Sequence, residues 1–228
     1  MNPQDSQIHL LIDVAGYATV QDDRPPPVEE LNVTGEVVTP RPAATVILLR
    51  GGAQTLEVLL VKRNPNMTFM GGAWVFPGGA VQGVEGSDDA AHRVAALREL
   101  EEEAAVTVAD PADLVPFSRW ITPAQVKKRF DTWFYLAPAP DDAAPRCDGQ
   151  ECVDLGWFTP QRALDAHTSG DILLVFPTIK TLEQLGRFAT ADELLAHARG
   201  REVRPVEPRV LISGETARVV LPGEPGYE

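Results

Sequence analysis

The chain predicts an α+β fold, a mixed sheet sandwiched between helices. Three observations lead there. Apolar runs of strand length recur from residue 44 onward, bounded by Gly, Pro and Asp turn signals. The stretch from residue 87 to residue 104 instead carries apolar residues at helical spacing. Two further helical patterns and a hairpin pattern follow toward the C-terminus. With 228 residues, 44% of them hydrophobic, the chain can build one large domain with appendages around a proper core.

Residues 1–40 read as an N-terminal extension ahead of a domain spanning residues 41–228. Within the extension, residues 8–14 are apolar enough for a strand, and Arg-Pro-Pro-Pro at 24–27 is a stiff, extended linker. Residues 44–50 and 56–63 are near-continuous apolar runs, read as buried strands on either side of a Gly51–Gly52 turn. A loop follows with Met67, Phe69 and Met70, which either cap the core or line an apolar part of a substrate site. Residues 74–76 form a short strand into a glycine loop. After the long helix, residues 114–121, 129–137 and 153–158 read as strands. Thr159 caps a helix with Pro160 at its first position. Residues 177–187 and 191–199 are helical, and residues 209–213 and 217–221 pair as a C-terminal hairpin.

Composition narrows the function. A formal charge of −13 argues against nonspecific nucleic-acid binding and against anionic membranes. No apolar run reaches the roughly 18 residues of a membrane helix. The N-terminal residues lack a signal-peptide pattern, so a cytoplasmic protein is expected. Cys147 and Cys152 are too few for a zinc site. Their spacing permits a disulfide, but a reduced pair is the expectation from compartment logic.

The chemistry concentrates in Phe-Pro-Gly-Gly-Ala at 76–80 and Arg-Glu-Leu-Glu-Glu-Glu at 98–103. Gly78 and Gly79 let the backbone approach a ligand closely. Ser87 is the expected N-cap of the helix, and Val94, Leu97, Leu100 and Ala104 its expected buried face. Glu99, Glu102 and Glu103 stand at i, i+3 and i+4, so their side chains share one helical face. Clustered carboxylates repel unless a cation lies among them. Hard oxygen donors suit Mg²⁺ or Mn²⁺. A solvated acidic face is the other reading of the helix taken alone.

Together the loop and helix resemble the nudix box, the signature of nudix hydrolases. Gly79 matches its first Gly, Glu85 its first Glu, residues 98–103 its Arg-Glu-x-x-Glu-Glu core and Val106 its closing apolar position. Two departures stand out. Gly79 and Arg98 are five residues further apart than in the standard box, which disturbs the usual Glu85–Arg98 contact. Ala105 replaces a Gly; either it takes left-handed backbone at a cost of about 1 kcal/mol, or the helix runs on.

The resemblance implies the nudix α/β/α sandwich with the N-terminal extension and the C-terminal hairpin added. It also implies hydrolysis of a nucleoside diphosphate linked to another moiety, with Mg²⁺ or Mn²⁺ held by Glu99, Glu102, Glu103 and the Gly79 carbonyl. Arg98 would orient the glutamates. Glu151, six residues before Trp157, would serve as an added ligand or general base, with Asp148 as the alternative carboxylate; a solvated loop charge is the plain reading of either. Arg63, Phe69, Gly78 and Arg129 would contact substrate, though each arginine could instead make a structural ion pair. Outside the box, Arg63, Phe69 and Gly72, then residues 119–123, 129–132 and 176–178, are similar to the branch that includes the type-19 coenzyme A diphosphatases. Thr68 departs from that branch's pattern, which has Arg there. The branch implies coenzyme A or an acyl-coenzyme A as substrate. ADP-ribose, a dinucleotide or a nucleotide sugar are the rival substrates, and a silent nucleotide-binding module is the rival class. The family's tendency to dimerise makes a homodimer an expectation, with the extension as a contact.

Overall fold

The structure, a computed structural model, describes residues 9–10, 32, 36–68, 70–83, 85, 89–213 and 216–228. In chain order the elements begin with β1 (His9–Leu10), β2 (Arg41–Arg50), β3 (Glu57–Arg63), β4 (Ala73–Val75), β5 (Gly78–Ala80) and α1 (Asp89–Ala104). They continue with β6 (Val115–Ile121), β7 (Phe130–Pro138), β8 (Cys152–Phe158), α2 (Pro160–Thr168), β9 (Leu173–Leu174), α3 (Phe176–Leu185) and α4 (Ala191–Ala198). The short β10 (Pro205–Val206) precedes the hairpin β11 (Arg209–Ser213) and β12 (Thr216–Val220). Two compact units result. One comprises Pro42–Arg119 and Thr132–Arg204; the other comprises Met1–Arg41, Trp120–Asp131 and Pro205–Glu228.

The first unit is built on a sheet in the order β6-β7-β2-β3-β4-β9, with β5 added on β2 and β8 on β3. The β2–β3, β2–β5, β3–β4 and β3–β8 pairs are antiparallel, while β4 and β9 are parallel, so the sheet is mixed as expected. Positions 43–49 of β2 and 58–61 of β3 are buried throughout. Both faces of these strands are therefore covered, which explains the unbroken apolar runs. Ala44, Val46 and Leu48 of β2 and Leu59 and Val61 of β3 form one core with Ala95, Ala96, Leu100 and Ala104 of α1. α2 packs on α3 and on β8. Thr159 caps α2 by accepting from the Arg162 N–H at 3.2 Å.

The buried face of α1 includes the expected Leu100 and Ala104, with Leu97 packed against the core, but not Val94. Val94 is 44% exposed, and the buried positions of α1 are Ala91, His92, Ala95, Ala96, Leu100, Glu103 and Ala104. Small side chains at the contact let the helix lie close to β5, which carries two glycines at the same place. Ser87, the expected cap, lies outside the described residues.

The end of α1 settles the Ala105 alternative. Ala105 takes φ +54° and donates its N–H to Glu101 O at 2.9 Å, the single-bond left-handed helix cap. A Cβ in that conformation is strained by about 1 kcal/mol. Ala105→Gly is therefore expected to raise the thermal midpoint by about 2–4 °C in calorimetry. An unchanged or lower midpoint would show that the cap carries no such strain.

In the second unit β11 and β12 pair antiparallel, the hairpin read from the sequence, and β1 joins β12 in parallel. Among the described residues, no helix is long and apolar enough to cross a membrane.

Candidate active site

The site is assembled where β5 meets α1. β5 sets Gly78 opposite Thr45 and Gly79 opposite Ala44 on β2. A Cβ on Gly78 would lie 2.6 Å from Ala44 O and 2.7 Å from Thr45 Cα, and one on Gly79 would strike the Glu99 carboxylate. Both glycines are thus required by close approach, one to the neighbouring strand and one to the helix.

The three helix glutamates are held by different partners. Arg98 divides them. Its Nε donates to Glu85 Oε1 at 2.8 Å. Its Nη1 donates to Glu99 Oε1 at 2.8 Å and to Glu102 Oε2 at 2.9 Å. Its Nη2 donates to Ala80 O at 3.1 Å, tying α1 to β5. Glu103 turns inward, 3% exposed, and accepts the Gly78 N–H at 3.0 Å with Arg63 Nη1 at 3.6 Å. Among the described residues, no group of three or more His, Cys, Asp or Glu side chains is placed to hold a metal ion. Arg98 and Arg63 supply the positive charge between the carboxylates instead.

Glu85 keeps its contact with Arg98 despite the five extra residues. A turn in which the Glu85 N–H bonds Gln82 O at 2.9 Å lets the Glu85 carboxylate reach Arg98, with the added length falling between Glu85 and Arg98. The Glu85 carboxyl lies below its usual range: burial acts upward, but Arg98 and the Gln82 N–H outweigh it. The Glu103 carboxyl is pushed up to about 7 by burial, opposed by Gly78 and Arg63 and reinforced by the charges of Glu99 and Glu151. Burial also raises Glu99, against the pull of Arg98 and with the repulsion of Glu102 and Glu151. Glu151 therefore stands in the field of the cluster.

The chemistry of this donor set suits a hard divalent cation, which the described side chains as placed do not surround. The candidates are all oxygen, the Glu99 carboxylate packs directly against Gly79, and the mutual repulsion of Glu99, Glu103 and Glu151 is what such an ion would relieve.

Glu151 is exposed on the loop that enters β8. Its backbone is clamped by residues whose role the sequence did not reveal. Asn64 donates its N–H to Glu151 O and its Nδ2 to Gln150 O, both at 2.8 Å. Asp148, the alternative carboxylate, accepts the Glu151 N–H at 3.0 Å and the Cys152 N–H at 2.8 Å, so it builds the loop. Cys147 and Cys152 are joined as a disulfide with Cα atoms 5.2 Å apart, where a reduced pair was expected. The turn drawn together by Asp148 and by Gly149 at φ +77° brings them within bonding reach.

Of the expected substrate contacts, Arg63 faces Glu103, while the Gly78 N–H is committed to Glu103. Phe69 lies outside the described residues; Met67 and Met70 beside it are half-buried. Arg129 belongs to the other unit, where it is 5% exposed and bonds Thr122 O, Val38 O and Glu207. That buried network makes it a structural residue, the ion-pair alternative of the sequence.

Comparison with known proteins agrees with this geometry. The NUDIX domain model matches residues 39–175, more than half of the chain. A Caenorhabditis elegans protein carrying the name nudix hydrolase 7 is 28% identical over 203 residues, covering 74% of this chain and 68% of that protein. The human acyl-coenzyme A diphosphatase NUDT19 is 28% identical over 116 residues, covering 49% of this chain and 31% of its own length. The crystal structure of a nudix hydrolase from Alicyclobacillus acidocaldarius superposes with a TM-score of 0.62 at 27% identity, covering 71% of this chain and 97% of that one. With the box residues gathered on β5 and α1 as described, the chain belongs to the NUDIX domain family and is a nudix hydrolase acting on a diphosphate substrate.

Proposed function

We propose that this hydrolase cleaves the pyrophosphate link of coenzyme A or an acyl-coenzyme A, with Mg²⁺ or Mn²⁺. The observation that carries the chemistry is four glutamates, Glu99, Glu102, Glu103 and Glu151, grouped with Arg63 and Arg98 beside the Gly78–Gly79 strand. The similarity to the human acyl-coenzyme A diphosphatase and the branch residues outside the box favour coenzyme A over other diphosphates. The 41–228 domain with residues 1–40 as an extension is part of the proposal, supported by a family match that begins at residue 39. So is a homodimer, read by light scattering.

Glu99, Glu102, Glu103 and the Gly79 carbonyl would hold the cation. When bound, it supplies positive charge to the pyrophosphate and to the attacking water. Arg98 holds Glu99 and Glu102 in place through charge-assisted hydrogen bonds. The Gly78 N–H and Arg63 hold Glu103. Arg63 also offers its guanidinium to a phosphate oxygen. Glu151, on the exposed loop, takes the proton as the water oxygen bonds phosphorus and the bridging oxygen departs. Coenzyme A would yield phosphopantetheine and adenosine 3′,5′-bisphosphate; an acyl-coenzyme A would yield the acylated phosphopantetheine.

The test is a panel of coenzyme A, an acyl-coenzyme A, ADP-ribose, a dinucleotide and a nucleotide sugar with Mg²⁺, products identified by mass. The highest kcat/KM is expected for a coenzyme A species. Faster cleavage of ADP-ribose or a nucleotide sugar would overturn the substrate assignment and leave the diphosphatase intact.

A further inference from the structure

We infer that the Cys147–Cys152 bridge positions Glu151, so that opening it with a small dithiol lowers turnover. The inference rests on the role proposed above for Glu151. The bridge closes a turn with Glu151 inside it, next to Cys152. Each end of the turn is fastened to an element of the site. At one end Arg146 donates its N–H to Ala104 O, the last residue of α1, at 2.9 Å. At the other, Cys152 is registered against Arg63 of β3, where the β3–β8 pairing shifts between Lys62 and Arg63. Arg63 is the residue facing Glu103. Asn64, next in the chain, holds the carbonyls of Gln150 and Glu151. The disulfide thus ties the loop of Glu151 to both the helix of the box glutamates and the strand of Arg63.

The location argues for a local role. A bridge between residues five apart in sequence restrains far less unfolded-chain freedom than one across a long loop. Its consequence falls on the residues it encloses. Cys152 is 1% exposed and packs in the core under α1, so it is a fixed anchor, whereas Cys147 is half-buried and is the more accessible of the two. The chemistry is ordinary exchange. One thiolate of a small dithiol attacks the Cys147 sulfur and releases Cys152 as thiolate, which takes up a proton. The second thiol then displaces Cys147 and leaves as the cyclic disulfide. Two electrons and two protons pass from the dithiol to the protein, and both cysteines end as thiols. Glutathione disulfide reverses the change by the same exchange. Without the bridge, the turn that places Glu151 near Glu99 and Glu103 is left to hydrogen bonds, those of Asp148, Asn64 and the Gly149 N–H to Cys152 O among them.

The experiment uses the full chain treated with glutathione disulfide and then with dithiothreitol, the thiols counted after denaturation in each state. Coenzyme A hydrolysis with Mg²⁺ is followed in both. Reduction is expected to lower kcat about tenfold with KM unchanged, reversibly, because a displaced general base costs rate and not binding. Cys147→Ser should match the reduced enzyme and ignore dithiothreitol. Glu151→Gln should be slow in both states, with no further loss on reduction. An unchanged kcat on reduction while Glu151→Gln is impaired would overturn the inference and leave Glu151 in the mechanism. Full activity of oxidised Glu151→Gln would remove the role of Glu151, and this inference with it. An equal loss on reduction in Glu151→Gln would make the bridge a general structural support. Two free thiols after glutathione disulfide would show that no bridge forms.

Discussion

Glu103→Gln is expected to lower kcat by at least about 10²–10³-fold with Mg²⁺ while the metal-free fold stays at least as stable. Glu103 is the most buried carboxyl of the cluster, and its oxygens already meet Gly78 and Arg63. Gln preserves shape, and its amide oxygen can still accept the Gly78 N–H. It removes the negative charge that the cation and the pyrophosphate chemistry require. The stability half follows from linkage. In the folded chain the carboxyl is pushed up to about 7 from its usual 4.5. Below the lower value both folded and unfolded chains hold the proton, and the residue contributes nothing. Between the two values the folded chain holds more protons, so stability falls as pH rises, and above about 7 the full cost is present. Gln does not titrate. The difference in thermal midpoint between Glu103→Gln and the parent, measured in EDTA, should therefore grow in favour of Gln across that window. Glu102→Gln is expected to share the loss of turnover. Metal-dependent turnover at the parental rate in either variant would remove the mechanism.

The strands of the sandwich were legible because both faces of β2 and β3 are covered, which leaves long apolar runs in the sequence. Glu99, Glu102 and Glu103 were legible because fixed spacing on a helix fixes their common side. Their partners were not. Arg98 is adjacent to Glu99 in sequence, yet its most buried partner, Glu85, lies thirteen residues away across a loop whose length argued against the contact. β5 was read as loop because Gly-Gly-Ala carries no side chain that favours a strand; only its pairing with β2 makes it one. The face of α1 was misjudged at Val94 because hydrophobicity ranks Val above Ala, whereas close packing on a glycine strand selects the smaller side chain. The Asn64 clamp and the disulfide join residues through tertiary contacts and a turn, which a reading of periodicity does not register.

Arg98→Gln is expected to impair both catalysis and stability, and divalent metal should recover part of the stability. The guanidinium serves four acceptors at once: Glu85, Glu99, Glu102 and Ala80 O. Glu102 is exposed enough for water to screen its release. Glu85 and Glu99 are not, with side chains 6% and 14% exposed. Removing the shared cation leaves these two carboxylates uncompensated, a loss of roughly 3 kcal/mol or roughly 10 °C in thermal midpoint. Turnover should fall about 10²-fold, since Glu99 and Glu102 lose the group that orients them. Lysine keeps the charge but lacks the planar fork, so it cannot span Glu85, Glu99 and Ala80 O together, and Arg98→Lys should fall between parent and Gln. Mg²⁺ should then raise the midpoint of Arg98→Gln more than that of the parent, because the ion takes over a charge that the parent already supplies. A midpoint within about 2 °C of the parent would show that these ion pairs contribute little to the fold. An equal Mg²⁺ response in both proteins would show that the arginine and the cation do not serve the same glutamates.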